Sequence, residues 1–226
     1  MSHQIDDKEK MNDLRSRLRR IKHKKNFFVA LIGGIGSGKS SILFGLKELG
    51  VETVNTDQIS RKLLSTGGQA VDLIEKKFGT AVINKDRSVN RKKLGAIVFK
   101  NPTSLSQLEN IIHPLIWNEV VSVVEELIAT EPPYIAIEIP VPKNKELLSD
   151  FFDLIVFISC DEGIRKKRVL ARDGIAEAYV DLIIKNQTSN LDYEVLADIV
   201  LDNSSNNLIE LNEKVHELNN KVKQMK

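Results

Sequence analysis

An α/β fold with a five-stranded parallel sheet and an inserted helical subdomain is what the sequence predicts. Three observations carry it. A six-residue apolar run, Phe27–Ile32, leads into Gly33-Gly34-Ile35-Gly36-Ser37-Gly38-Lys39-Ser40 and then into a helical pattern. Further short, β-branched runs follow at wide spacing, each of a length suited to a buried parallel strand. Between the second and third of them lie about seventy residues of helical periodicity, far more than a crossover between parallel strands requires.

The first strand and its loop organise the rest. The loop fits G-x-x-x-x-G-K-[ST] without mismatch, and Ile42, Leu43, Leu46 and Leu49 mark one face of the helix behind it. Strand, glycine loop and helix in that order make a phosphate site of the P-loop type. Glycines let successive N–H groups turn inward, and the helix N-terminus adds partial positive charge. Gly34, Ile35, Gly36, Ser37, Gly38, Lys39, Ser40 and Ser41 are therefore the candidate nucleotide-binding residues. Lys39 is placed to reach the β- and γ-phosphates and the Ser40 hydroxyl to ligate Mg²⁺. ATP and Mg²⁺ are the expected cofactors.

Val51–Val54 is the second strand, with Asp57 just past its C-terminal end, where open parallel sheets bind ligands. A carboxylate there can accept a substrate hydroxyl's proton or help to hold Mg²⁺; it can also N-cap a helix over Gln58–Leu64. Residues 58–129 read as helical, with breaks at Gly67–Gly68, Gly79, Asn84–Asp86 and Asn101–Pro102. This is the expected acceptor subdomain, in which Arg61, Arg91, Lys92 and Lys93 are cations able to meet an anionic acceptor. Pro114 suits the first turn of a helix, which puts His113 near an N-cap; spacing alone gives that histidine no catalytic role.

Tyr134–Pro140 is the third strand. Glu138 interrupts it, and a lone buried carboxylate is costly unless paired or near a metal. It is a candidate Mg²⁺ acid, or else an edge or surface carboxylate. Leu154–Cys160 is the fourth strand, and the single cysteine at its end reads as a buried structural thiol. The helix after Asp161 carries Arg165, Lys166, Lys167, Arg168 and Arg172. Arg168 and Arg172, four apart on one face, are either phosphate-neutralising guanidiniums or part of a solvated basic surface. A lid helix over about 163–190, a fifth strand at Asp198–Leu201, a polar loop and a terminal helix over 208–226 complete a core of 26–57 plus 130–226.

Residues 1–25 form a basic amphipathic extension, with Met11, Leu14, Leu18 and Ile21 at helical spacing. It suits an anionic membrane, a partner or a packed surface helix. A net charge of +2 argues against a general nucleic-acid binder, and none is expected as a partner. No apolar stretch approaches the roughly 18 residues of a membrane span, so no integral membrane segment is expected. One cysteine among 226 residues precludes an intrachain disulfide and points to the cytoplasm. A monomer or weak homo-oligomer is expected.

Over about residues 28–206 the sequence resembles the dephospho-coenzyme A kinase family. The loop GGIGSGKS at Gly33–Ser40 is narrower than the general phosphate-loop pattern. Asp57-Gln58-Ile59-Ser60-Arg61 is similar to the family's D-x-I-x-R, Arg91 to its R-x-x-L, and His113-Pro114-Leu115-Ile116 to its HPLI. Arg168 and Arg172 match its lid arginines, and Ala197–Asn203 its AD-x-VI-x-N segment. The resemblance implies ATP-dependent phosphorylation of the ribose 3′-hydroxyl of dephospho-CoA. It implies Asp57 as base, Arg61, Arg91 and His113 at the acceptor, Arg168 on the moving phosphoryl group and Asn203 near the adenine. The sequence departs from the family at Asn55, at Pro140–Asn144 with Glu146 as a shifted acid, at Asn190 and at Ser205.

Overall fold

A computed structural model describes residues 16–17, 20–22, 26–139, 151–187 and 190–226. Pro140–Asn144, Glu146 and most of the N-terminal extension lie outside these residues. In chain order the elements are β1 (Phe28–Ile32), α1 (Lys39–Glu48), β2 (Glu52–Asn55), α2 (Thr56–Leu64), α3 (Val71–Phe78), α4 (Arg91–Val98), α5 (Pro102–Leu127), β3 (Ile135–Glu138), β4 (Leu154–Ser159), α6 (Glu162–Asp173), α7 (Glu177–Lys185), α8 (Asn190–Leu196), β5 (Ile199–Asp202) and α9 (Leu208–Met225). The chain forms two compact units, Arg20–Asn55 with Val124–Lys226, and Met1–Arg19 with Thr56–Val123.

The first unit holds the sheet, ordered β2-β3-β1-β4-β5. Every pairing is parallel. β1 lies at the centre and is buried along its whole length, which is why its sequence is continuously apolar rather than alternating. Val29, Leu31, Ala136, Val156 and Ile158 of the sheet pack with Ile42, Leu43 and Leu46 of α1 and with Val215, Leu218 and Val222 of α9. The glycine at position 45 lets α9 come close: a Cβ there would sit 3.0 Å from Val215 Cγ1. Tyr134, fully buried, donates its hydroxyl to Asn219 Oδ1 at 3.0 Å and so ties β3's leading edge to α9. The burial pushes its phenol well above the usual range. Of the amphipathic extension, Ile21 is buried and Lys22 lies 3.7 Å from Asp153. That turn packs on its own unit.

The second unit is helical, as the periodicity of residues 58–129 predicts. Ile59, Leu63, Val71, Ile74, Val82, Leu94, Val98, Ile112, Ile116, Val120 and Val121 are among its buried apolar side chains. A loop between Asn84 and Ser88 is clamped by Arg87, whose guanidinium meets Glu75 and Asp72, both at 2.8 Å.

Two sequence expectations are corrected. Pro114 does not begin a helix; it sits inside the 26-residue α5. Proline in a helix interior forfeits a hydrogen bond and crowds the carbonyl one turn back, costing about 3 kcal/mol. Ile112, Ile116, Val120 and Val121 continue one buried face across that point. Burying each such side chain contributes about 1.5–3 kcal/mol, so the face outweighs the proline. The segment 163–190 is likewise not one helix. Gly174 adopts the left-handed conformation at φ 59° and ends α6, and α7 restarts after an extended Ala176.

Candidate active site

β1 delivers the chain to the glycine loop at the C-terminal edge of the sheet. Gly38, at φ 95°, turns the chain into α1. That φ favours glycine, and a Cβ there would also displace Asn203 Nδ2. The first N–H groups of α1 have no intrahelical acceptor, which leaves them to a ligand. The loop is braced from two distant segments. Asn203 Nδ2 donates to the Ser37 carbonyl at 2.8 Å, and the Ile35 N–H donates to Gln187 Oε1 at 2.9 Å.

Lys39 is buried. Its Nζ donates to the carbonyls of Gly33 at 2.9 Å and Gly34 at 3.2 Å, and lies 4.0 Å from Glu138 Oε1. The Ser40 hydroxyl donates to Glu138, 3.1 and 3.2 Å from its two carboxylate oxygens. Glu138 is only 1% exposed, on a strand flanked by β1 and β2. The edge or surface reading of this residue is therefore removed: its carboxylate sits in the interior beside the loop lysine and serine. Asn55, at the end of β2, is in register with it.

Arg168 stitches the segment after β5 into place. Its guanidinium donates to the carbonyls of Asn203 at 2.9 Å and Ser205 at 2.7 Å, and to Asn206 Oδ1. Arg172 forms a two-pronged pair with Asp173, both bonds 2.8 Å. Cys160 is buried, as expected; burial pushes its thiol up, against the pull of Arg168 and Arg165. A groove of about 660 Å³ starts at Ser40 and Ser41 and runs between α1 and α9 past Phe44, Leu211 and Val215.

The remaining candidates belong to the helical unit. Asp57 is exposed within the first turn of α2, not at its N-cap, because the helix already begins at Thr56. Arg61 lies one turn further along the same helix face, also exposed. Arg91 opens α4, exposed, behind an Asn90 cap whose side chain accepts the Lys93 N–H at 3.0 Å. His113 is half-buried in α5.

Two residues that touch the loop, Arg165 on the basic helix and Gln187, are not among the candidate site residues read from the sequence. Arg165 lies three residues before Arg168, so the same helical spacing that marks Arg168 and Arg172 extends to it. Nothing in spacing separates this buried arginine from the more exposed lysines beside it.

A central strand, a glycine loop ending in Lys-Ser, a buried acid on the adjacent strand and a basic helix against the loop define a P-loop kinase. A family model described as dephospho-CoA kinase matches residues 27–208. A dephospho-CoA kinase of Aromatoleum aromaticum is 36% identical over 79% of this chain and 86% of its own length. A dephospho-CoA kinase domain-containing protein of Danio rerio is 31% identical over 79% and 78%. Among solved structures, a Thermus thermophilus protein matches with a TM-score of 0.68 at 24% identity, over 86% of this chain and 96% of that one. The dephospho-CoA kinase from Campylobacter jejuni matches at 0.62 and 21%, over 87% and 97%. The chain belongs to the dephospho-CoA kinase family.

Proposed function

We propose that this chain transfers the γ-phosphoryl group of ATP to the ribose 3′-hydroxyl of dephospho-CoA, giving CoA and ADP in the cytoplasm. The observation that carries the reading is the Lys39–Ser40–Glu138 cluster at the glycine loop of a chain that matches this family from residue 27 to 208. A bond forms between the 3′-oxygen and the γ-phosphorus, and the bond from that phosphorus to the β,γ-bridging oxygen breaks. Asp57 accepts the hydroxyl proton. Lys39 leaves its loop carbonyls for the phosphate oxygens, and the loop amides hold the β-phosphate. Arg61, Arg91 and His113 bind the acceptor, Asn203 lies near the adenine, and Arg168 neutralises charge on the moving phosphoryl group.

The donor set fits Mg²⁺. Ser40 and Glu138 offer a hydroxyl and a carboxylate side by side, hard oxygens of the type that bind this ion together with substrate phosphates and water. Such sites need few protein ligands, and the described residues contain no group of three or more His, Cys, Asp or Glu placed to hold a metal. Bound there, the ion would neutralise charge on the β- and γ-oxygens. Glu138→Gln should raise the Mg²⁺ concentration for half-maximal activity by about 10–100-fold; an unchanged Mg²⁺ titration would remove Glu138 from the metal site.

The test of the function is ADP release by the full chain with and without dephospho-CoA. The expected result is release that depends on dephospho-CoA, with CoA formed in equal amount. Turnover on a nucleoside monophosphate with none on dephospho-CoA would overturn it.

A further inference from the structure

The side chain of Arg165 is unusual among the described cations. It is 5% exposed, and among the described residues its Nε has no hydrogen-bond partner. Its Nη2 is 3.9 Å from Glu162, beyond hydrogen-bond length, and Glu162 is itself 72% exposed. A buried guanidinium so weakly compensated is costly. α6 is held at its start and along one face. Asp161 caps the helix by accepting the Ile164 N–H at 3.1 Å, and Val169 is buried against Gly36 of the loop.

The guanidinium is aimed at Gly34. A Cβ built on Gly34 would collide with Arg165 Nη1, yet Gly34 has none of the positive φ seen at Gly33, Gly36 and Gly38. Any residue could adopt its backbone. At Gly34 the side-chain position is taken by Arg165 Nη1, with Gln187 Oε1 next to it. Lys39 Nζ sits on the Gly34 carbonyl. Two cations thus converge on one residue of the loop, one at its carbonyl and one at its α-carbon. The lysine of such a loop serves the β,γ end of the nucleotide.

We propose that Arg165 is a second phosphate-binding cation of this site, whose charge is compensated only when the loop holds the β,γ end of ATP. The proposal rests on the reading of the loop as an ATP site; it does not depend on the identity of the acceptor. It makes Arg165 a determinant of triphosphate over monophosphate binding.

The test is equilibrium titration of the full chain with ATP, ADP and AMP, without acceptor, together with melting of the nucleotide-free protein. Arg165→Gln is expected to weaken ATP binding roughly 10–100-fold, the scale of a lost charged hydrogen bond, with less loss for ADP and none for AMP. The nucleotide-free Tm should hold or rise, since an uncompensated buried charge has been removed. Arg165→Lys should recover part of the ATP affinity. Gly34→Ala, which displaces the guanidinium without removing it, should weaken ATP in the same selective way and add little to Arg165→Gln. Equal losses for all three nucleotides, a lower Tm with ATP affinity intact, or additive effects in the double variant would each overturn the proposal. Wild-type turnover on dephospho-CoA, assayed on the same preparation, reports on the acceptor separately.

Discussion

Lys39→Ala is expected to lower kcat/KM for ATP by roughly 10³-fold, about 4 kcal/mol of transition-state stabilisation. The size follows from where the ammonium sits. Lys39 is buried beside the loop, where little water weakens its field, and it is anchored on two loop carbonyls near Glu138. Carbonyl bonds of this kind are exchanged readily for phosphate oxygens, which accept more strongly. Alanine removes the cation and also leaves the Gly33 and Gly34 carbonyls without their donor. Both KM and kcat should therefore suffer, because the loop loses its preferred shape as well as its charge. Steady-state kinetics with ATP varied at saturating dephospho-CoA read the effect. A variant within a few-fold of wild type would mean that the loop is only a structural turn.

Asp57→Asn is expected to lower kcat by about 10²–10⁴-fold, the range of a positioned general base. ATP affinity should change little, since the proposed role of Asp57 is on the acceptor's proton and not on the nucleotide. Asparagine preserves the shape of the side chain and its place in the first turn of α2, so folding should be undisturbed. The split between kcat and KM for ATP is the decisive reading. Near-normal kcat would show that Asp57 only favours the helix start through its charge.

Much of this was legible before any coordinates. The glycine loop announces itself because its chemistry demands particular residues at fixed spacing. The five strands are legible because each is short, apolar and bounded by turn residues. Their bounds shift by a residue or two, as at β5, which runs Ile199–Asp202 and not Asp198–Leu201. The breaks within 58–129 fall where Gly67–Gly68, Gly79 and Asn101 place them. What escaped depended on partners far away in sequence. Pro114 carries a local signal for a helix start, and only the buried face of Ile112, Ile116 and Val120 overrides it. Glu138 could not be told from an edge or surface carboxylate until its burial removed that reading. Arg165 has the same charge and nearly the same helical position as its neighbours. Only packing against Gly34 distinguishes it, and packing has no one-residue signature.

The bond between Asn203 and the Ser37 carbonyl spans 166 positions. Biosynthesis runs from the amino end, so the glycine loop leaves the ribosome long before the asparagine that steadies it. The central strand fares the same way, since both its neighbours, β3 and β4, are made much later. Pairings this remote assemble slowly and leave apolar edges bare in the meantime. The glycine loop thus lacks its Asn203 brace until β5 and the segment after it have been made.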